Sequence, residues 1–481
     1  MSFDYLIVLP VLVVVGYALL VLLLTPAFRG SPGALGATSI LGLVVAGISL
    51  YSLRSYGGTT AGGLVLLDDF TLFFDAIFIV AGLITILASF AYLDRESAHH
   101  GEYYALVLLS VAGMMTMVAS ENLLVIFLGL ELLSIPLYVL SGFIRERTRS
   151  VEAALKYFLM GAFATGFILY GIAFLYGASG SLDLRHIATA LASRAVPQGT
   201  FALGVGLILV GFAFKIAAVP FHAWAPDVYH GAPTPITALM AAGTKAAAFG
   251  ALLRIVHTAL PLHSEIDWRP VVAVLAVLTM SVANVVAIAQ LNIKRLLAYS
   301  SIAHAGYLLV AVVSPIASGV QSIAFYLVSY TFMTMGAFVV ATIVGKNGGD
   351  GEEGYSIASY RGLGRSRPLL AAAMTVFLLS LTGIPPTAGF VGKLYIFKAA
   401  MEGHHYLLAV IGLLNSAVAA YYYLGVVVAM WMQPEAEGAG PARTGFGVRT
   451  ALIVSTVATL ALGVYPVPLL DLARDLYASL T

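Results

Sequence analysis

Cysteine is absent from this chain of 481 residues. That excludes thiolate metal sites, thiol nucleophiles, disulfides and cysteine-ligated iron–sulfur clusters, so any electron transfer coupled to the chain takes place elsewhere. Charge is scarce too. Charged residues make up 10% of the sequence, hydrophobic residues 60%, and the mean hydropathy is +0.97. An ordinary soluble protein carries about 25% charged residues, so a soluble enzyme is excluded, and the hydrophobicity excludes a disordered chain. Neither sign of charge dominates: 24 Lys and Arg against 23 Asp and Glu leave +1, which offers no footprint for nucleic acid. No loop is long enough to be a soluble catalytic domain. Glycine-rich stretches such as Gly348-Gly349-Asp350-Gly351 lack the G-x-x-x-x-G-K-[ST] pattern and strand–helix setting of a phosphate loop. No Ser-His-Asp grouping has support, and no carboxylate completes a metal-ligand set around a His pair at the usual spacing.

What the chain has is long apolar runs. The first, Tyr5 to Leu24, follows the acidic start Met1-Ser2-Phe3-Asp4 and ends at Thr25-Pro26 without a small-residue cleavage pattern. It reads as a retained first helix, not a cleavable signal. A helix needs about twenty apolar residues to cross a bilayer. Fourteen such runs are present, near 5–24, 34–53, 70–93, 103–120, 122–144, 151–176, 201–224, 235–260, 270–290, 295–314, 319–345, 368–400, 404–432 and 448–470. The fourth and fifth almost touch at Ser120-Glu121-Asn122. The run 368–400 is too long for one straight span and contains Pro385-Pro386, which predicts a broken helix. The expected fold is an all-α polytopic membrane protein of about fourteen transmembrane helices.

Basic residues orient the spans. With the N-terminus outside, the cytoplasmic loops hold 13: Arg29, Arg95, Arg145, Arg147, Arg149, Lys294, Arg295, Lys346, Arg361, Arg365, Arg367, Arg443 and Arg449. The outer side holds 7: Arg54, Arg185, Arg194, Arg254, Arg269, Lys398 and Arg474. An even helix count puts the C-terminus outside as well.

Two proline-broken segments resemble each other: Ala218-Val219-Pro220-Phe221-His222-Ala223-Trp224 and Gly383-Ile384-Pro385-Pro386-Thr387-Ala388-Gly389-Phe390. Pro220 and Pro385 are 165 residues apart, a shift that brings the run near 103 onto the run near 270. A unit of five helices repeated once accounts for this, and an odd unit enters the membrane inverted, as in many transporters. The predicted organisation is a three-helix segment over 1–101, two inverted five-helix repeats over 102–261 and 267–432, and a C-terminal helix in 433–481. The plainer alternative is two unrelated proline kinks.

Ionisable residues inside these runs demand a reason, because a charge at mid-bilayer costs about 2.5–3.5 kcal/mol on insertion scales. Glu131 lies ten residues into its run and Lys245 ten residues after Pro235, each about 15 Å deep. Lys215 precedes the Pro220 break, Lys393 follows the Pro385-Pro386 break, and Lys156 and His304 lie inside their runs. A desolvated amine exchanges its proton far more readily than one in water, and His is a natural intermediate near neutral pH. Such groups joined by water make a proton relay. Structural readings stand beside this one: Glu131 as a salt bridge, Lys156 as a snorkelling side chain, and His222 as a cap on freed carbonyls. Three deep lysines, Lys215, Lys245 and Lys393, outnumber the one mid-membrane carboxylate. Asp75 reads as shallow and interfacial. His257, His263, His404 and His405 lie near helix ends, and His99 and His100 in a loop, where solvation is the default. Tyr421-Tyr422-Tyr423, Trp268 and Trp431 read as interfacial or packing aromatics.

Three stretches carry a specific resemblance. Phe221-His222-Ala223-Trp224-Ala225-Pro226-Asp227-Val228-Tyr229-His230-Gly231-Ala232-Pro233-Thr234-Pro235 resembles the signature of the antiporter-like subunits of respiratory complex I. Asn292-Ile293-Lys294-Arg295-Leu296-Leu297-Ala298-Tyr299-Ser300-Ser301-Ile302-Ala303-His304-Ala305-Gly306 and Gly383 to Lys393 are similarly typical. The resemblance spans essentially all fourteen runs. The superfamily also includes Mrp-type cation/proton antiporter subunits and membrane-bound hydrogenase subunits. Within it the chain looks most like the N (ND2) type: Lys393 stands where the M type usually has Glu, and the long lateral helix of the L type is lacking. The resemblance implies a proton-translocating, non-redox subunit of a translocase, NADH–quinone oxidoreductase, with proton-channel residues Glu131, Lys215, Lys245 and Lys393 and auxiliary relay positions Lys156, His222 and His304. It further implies a Glu131–Lys215 pair, Lys245 as connector and Lys393 at the exit half-channel. NADH, FMN, iron–sulfur clusters and quinone would belong to other subunits. The implied neighbours are the M- and K-type subunits, the lateral helix of the L type and the lipid bilayer. A sodium/proton antiporter and a merely structural membrane subunit are the competing readings.

Overall fold

The computed structural model describes residues 3–28, 30–193, 196–260, 267–345, 354–435 and 445–480. Met1, Ser2, Arg29, Arg194, His263, Lys346, the Gly348–Gly351 stretch and Arg443, all used in the sequence reading, lie outside the described residues. The chain begins with helices α1 (Tyr5–Leu24) and α2 (Pro32–Ser52), then a short antiparallel hairpin, β1 (Gly58–Thr60) with β2 (Val65–Leu67). There follow α3 (Asp69–Arg95), α4 (Gly101–Val118), α5 (Leu123–Ser141), α6 (Thr148–Ser179), the short α7 (Leu184–Ala192), α8 (Gln198–Lys215), the short α9 (Trp224–Gly231) and α10 (Thr234–Ala259). Next come α11 (Arg269–Ile288), α12 (Ile293–Val312), α13 (Ile316–Val344), the single turn α14 (Leu363–Ser366), α15 (Pro368–Thr382) and α16 (Ala388–Glu402). The chain ends with α17 (Tyr406–Met432), α18 (Phe446–Val464), α19 (Val467–Arg474) and a last 3₁₀ turn, Leu476–Leu480.

Thirteen of these helices are long and apolar enough to cross a membrane by length and composition. The run 368–400 supplies α15 and α16, two shorter halves on either side of Gly383–Thr387. The run 201–224 is broken, as Pro220 predicts, but the break begins earlier than the proline. Helix α8 stops at Lys215, Ala217 takes a left-handed φ of +58°, and the chain turns as far as Trp224, where α9 begins. Polar side chains start the helices where the apolar periodicity alone leaves the boundary open. Asp68 accepts from Thr71 N ahead of α3, Asn122 from Leu124 N and Val125 N ahead of α5, and Asn292 from Lys294 N and Arg295 N ahead of α12.

Helix α10 occupies the centre, enclosed by protein along its whole apolar stretch, and packs on α3, α4 and α13. Helices α1, α2, α6, α11, α17 and α18 present large apolar side chains outward, among them Leu23, Phe163, Leu407, Leu414 and Ile453. A helix apolar all round is either wholly interior or lipid-facing, and this bundle contains both kinds. Close approach is built from small residues: a Cβ on Gly129 of α5 would lie 2.5 Å from the Met117 backbone nitrogen on α4.

Two basic residues assigned to loops are interior. Arg254 is fully buried on α10. It donates to Val118 O (2.9 Å), to both Asp68 carboxylate oxygens (3.0 Å each) and to Thr71 Oγ1 (3.0 Å). Lys294 is buried too, donating to Ala232 O at 2.6 Å over the Tyr355 ring. Removing one residue from each side leaves the sign of the basic bias intact. Desolvation pushes the Asp68 carboxyl upward. The charge of Arg254 and the hydrogen bonds from Arg254 and Thr71 outweigh it and hold the group below its ordinary value.

Breaking a buried pair from one side leaves an uncompensated charge and costs about 3–5 kcal/mol. Arg254→Met should therefore lower the thermal unfolding midpoint in detergent sharply, and Asp68→Asn should also lower it. A depressed carboxyl stabilises above its unfolded value, about 3.9, and loses that contribution as pH falls below it. Acidification through that range should thus destabilise the unmodified protein more than Asp68→Asn.

Candidate functional site

The expected relay residues inside the bundle fall into two clusters. The first gathers on α5, α6 and α8. Lys215, 6% exposed, is the last residue of α8. Its Nζ donates to Ser134 Oγ at 2.7 Å and to Tyr157 OH at 3.4 Å, and it lies 5.6 Å from the Tyr157 ring centroid. Tyr157 is stacked on Trp224 at 4.8 Å, so the first residue of α9 closes the pocket. Glu131 stands one turn before Ser134 on α5, on the same helix face. Its Oε1 is buried with no hydrogen-bond partner among the described residues. The described residues contain no Glu131–Lys215 ion pair; Ser134 occupies the amine instead.

The second group centres on α12. Lys245, 2% exposed on α10, donates to the Ser301 carbonyl and, at 2.6 Å, to Ser301 Oγ, with the Tyr330 ring centroid 5.6 Å away. One turn on, His304 is wedged between two phenols: Nδ1 pairs with Tyr326 OH at 2.5 Å and Nε2 with Tyr423 OH at 3.2 Å. Tyr423 also bonds Ser300 Oγ. One further turn on, Tyr307 presents its ring to Lys393 Nζ, 4.7 Å from the centroid. Ser301, His304 and Tyr307 follow one another at three-residue spacing, which puts them on one face of α12. That face runs from one buried lysine to the other.

Lys393, 4% exposed, sits in α16 but serves α15, donating to Leu381 O (3.0 Å) and Thr382 O (2.9 Å). A helix end leaves its last carbonyls without intrahelical donors and is the negative end of the macrodipole. The amine meets both demands. Gly383 makes the arrangement possible. Its φ is +90°, and a Cβ there would lie 2.9 Å from Lys393 Cδ. Gly389, whose Cβ would meet Ser380 O at 1.8 Å, lets the two halves close on each other.

The remaining expected residues fall elsewhere. Lys156 pairs with Glu152 (2.6 Å) and Asp227 (2.8 Å), with 40% of its side chain exposed. It joins Arg295, also on Asp227 (2.7 Å), in a polar cleft of about 210 Å³. His222 is half-buried in the turn between α8 and α9, and its Nδ1 has no hydrogen-bond partner among the described residues. Asp75 is interior to the bundle and not at its surface. It is buried on α3, one turn beyond Thr71, and its Oδ1 has no partner among the described residues. The tyrosine run on α17 is not interfacial throughout: Tyr422 and Tyr423 are interior, and Tyr422 OH donates to Asn284 Oδ1 at 2.9 Å. Ser134, Tyr157, Ser301, Tyr307, Tyr326 and Tyr423 were not found by sequence reasoning. Hydroxyl residues are common in membrane helices, and the one available signal was three-residue spacing from His304. Among the described residues, no group of three or more His, Asp or Glu side chains could hold a metal ion.

Buried amines without carboxylate partners, set in an apolar helical bundle, are the mark of an ion-translocating membrane protein. The transmembrane family described as NADH:quinone oxidoreductase/Mrp antiporter matches residues 120–419. Subunit N of NADH-quinone oxidoreductase from Trichlorobacter lovleyi is 48% identical over 92% of this chain and 91% of its own length. Subunit N 1 from Solibacter usitatus is 45% identical over 99% and 98%. Among solved structures, a chain of respiratory complex I from Thermus thermophilus superposes with a TM-score of 0.82 at 38% identity, covering 96% of this chain and 98% of that one. The chain belongs to this family, in its subunit N branch.

Gly383→Ala should lower the unfolding midpoint by the equivalent of about 1–3 kcal/mol, since it strains the backbone and crowds Lys393. Gly206→Ala, on α8 with open space around it, should be neutral or slightly stabilising. Equal midpoints for the two variants would refute the account of the break.

Proposed function

We propose that the chain carries protons through the membrane arm of NADH–quinone oxidoreductase along Glu131, Lys215, Lys245 and Lys393, as a non-redox subunit of that translocase. NADH, FMN, iron–sulfur clusters and quinone are handled by other subunits. The observation that carries the reading is the α12 ladder, Ser301, His304 and Tyr307, which lies between Lys245, bonded to Ser301, and Lys393, set over the Tyr307 ring. A proton leaving Lys245 by way of Ser301 and intervening water reaches His304 and its two phenols, where a neutral imidazole accepts at one nitrogen and donates at the other. Tyr326 and Tyr423 hold both nitrogens in use. Lys393 then receives the charge where the α15 carbonyls favour a cation. At the other end, Glu131 one turn from the Lys215–Ser134 bond acts as the switch. A carboxylate moving within about 4 Å of an ammonium changes its energy by about 4 kcal/mol at an effective dielectric constant of ~20. Lys156, His222 and the Asp227 cleft serve as auxiliary positions on the approach.

The proposal includes the inverted five-helix repeats, 102–261 and 267–432, flanked by 1–101 and 433–481. Their support is a set of matched features. The second helix of each unit, α5 or α12, is capped by an asparagine that forms an isolated antiparallel bridge to a later loop: Asn122 with Asp183, and Asn292 with Ser356. The fourth span of each is interrupted, after Lys215 and before Lys393. Glu131 and Ser301 each stand nine residues after their capping asparagine. With both termini periplasmic in a bacterial inner membrane, the chain lies between M- and K-type neighbours and beside the lateral helix of the L type.

Lys245→Ala and Lys393→Ala should each abolish most redox-driven proton pumping in vesicles while electron transfer from NADH with uncoupler persists. His304→Phe, which keeps the ring and loses both nitrogens, should slow pumping with the assembly intact. Unchanged pumping in the two lysine variants would leave a structural subunit. Sodium transport by the isolated chain in vesicles without NADH would favour an antiporter.

A further inference from the structure

A groove of about 870 Å³ lies between α2, α3, α13 and α19, on the face of α3 that carries Asp69, Phe73, Ile77 and Val80. Asp68, Thr71 and Asp75 lie on other positions of the α3 turn and do not line it, and none of the relay residues does either. Its wall is apolar, formed by residues such as Leu50, Phe73, Ile77, Val328 and Phe332. Its mouth is charged, with Arg54, Asp69, Asp471 and Asp475. Asp471 is paired with Arg474 at 2.9 Å. Arg54, Asp69 and Asp475 are exposed and form no ion pair among the described residues. The Arg54 guanidinium lies over the Tyr51 ring, 4.2 Å from its centroid, which holds it at the rim.

Two features define the occupant. The first is depth. Asp69 to Val80 is eleven residues of helix, about 16 Å, close to half of a ~30 Å hydrocarbon core. The groove is one leaflet deep, which suits an acyl chain; a helix of another subunit would need the full thickness. The second is charge. One unpaired cation and two unpaired carboxylates at the rim complement a headgroup that carries both signs. An anionic headgroup would add a like charge beside Asp69 and Asp475. A quaternary ammonium has no N–H to donate to them, whereas a primary ammonium makes charge-assisted hydrogen bonds.

We infer that this groove binds a membrane phospholipid with a zwitterionic primary-amine headgroup, its acyl chain along α3, its phosphate on Arg54 and its ammonium between Asp69 and Asp475. None of the buried amines lines the site, so its occupancy supports the packing of α2 and α19 against α3 and α13 without entering proton transfer.

The test uses the purified complex containing the full chain, delipidated in detergent and returned to nanodiscs of phosphatidylethanolamine, phosphatidylcholine or phosphatidylglycerol. Bound lipid is read by mass spectrometry and stability by the unfolding midpoint. Phosphatidylethanolamine should be retained with about tenfold preference over phosphatidylcholine, as one charge-assisted hydrogen bond supports, and should raise the midpoint most. Asp69→Asn with Asp475→Asn should abolish that preference. Ala76→Phe, which projects a ring into the groove where the acyl chain would lie, should weaken lipid retention with redox-driven pumping unchanged. Equal retention of the three lipids by the unmodified complex would overturn the inference. So would a preference that survives the double aspartate change, or cross-linking of Ala76→Cys to a neighbouring subunit instead of lipid.

Discussion

An ammonium held by carbonyl and hydroxyl oxygens, with no carboxylate in contact, is the interaction around which this bundle is organised. Lys215, Lys245 and Lys393 are all satisfied this way. The ion pairs lie elsewhere, toward helix ends and loops: Arg254 with Asp68, Arg185 with Glu121, Arg147 with Glu96 and Arg295 with Asp227. The division follows from electrostatics. A contact pair in low dielectric is deep and resists rearrangement. A hydrogen bond to a neutral oxygen secures an amine whether or not it carries its third proton. Ion pairs therefore fasten the helix ends, and amines held by neutral oxygens occupy the interior.

Holding such amines costs stability, and the backbone has been adapted to limit the cost. The interruption between α15 and α16 exposes carbonyls that would otherwise be spent inside a helix, and Lys393 uses them. Helix α8 ends on Lys215 itself. Each broken span thus supplies polar backbone at a depth where lipid supplies none, and does so inside protein, the one place where irregular backbone is tolerated within a membrane.

Much of this was legible in the sequence. The spans were readable because each needs about twenty apolar residues and little else. The lysines were readable because charge in such a run is anomalous. The break near Pro220 was readable from the proline, but the point where α8 stops, at Lys215, was not, since the apolar run continues through Trp224. Arg254 and Lys294 were misplaced because each falls near a run boundary, where one-dimensional distance cannot tell a loop from an interior helix face. Asp75 was misjudged for the same reason: six residues into α3 is shallow by count but interior by direction. The partners of the amines were invisible because serine and tyrosine carry no signal until helices distant in sequence, α12 and α17 or α10 and α12, are brought together.

The ladder on α12 has an electrical consequence. From Ser301 to Tyr307 is six residues, about 9 Å along the axis. For a helix upright in the bilayer that is roughly a third of the hydrocarbon thickness. A unit charge crossing the whole membrane works against about 2.3 kcal/mol per 100 mV, so this internal stretch alone carries roughly 0.7 kcal/mol per 100 mV. On the proposed relay, a charge moving along this row of side chains would therefore work against part of the transmembrane voltage inside the protein itself.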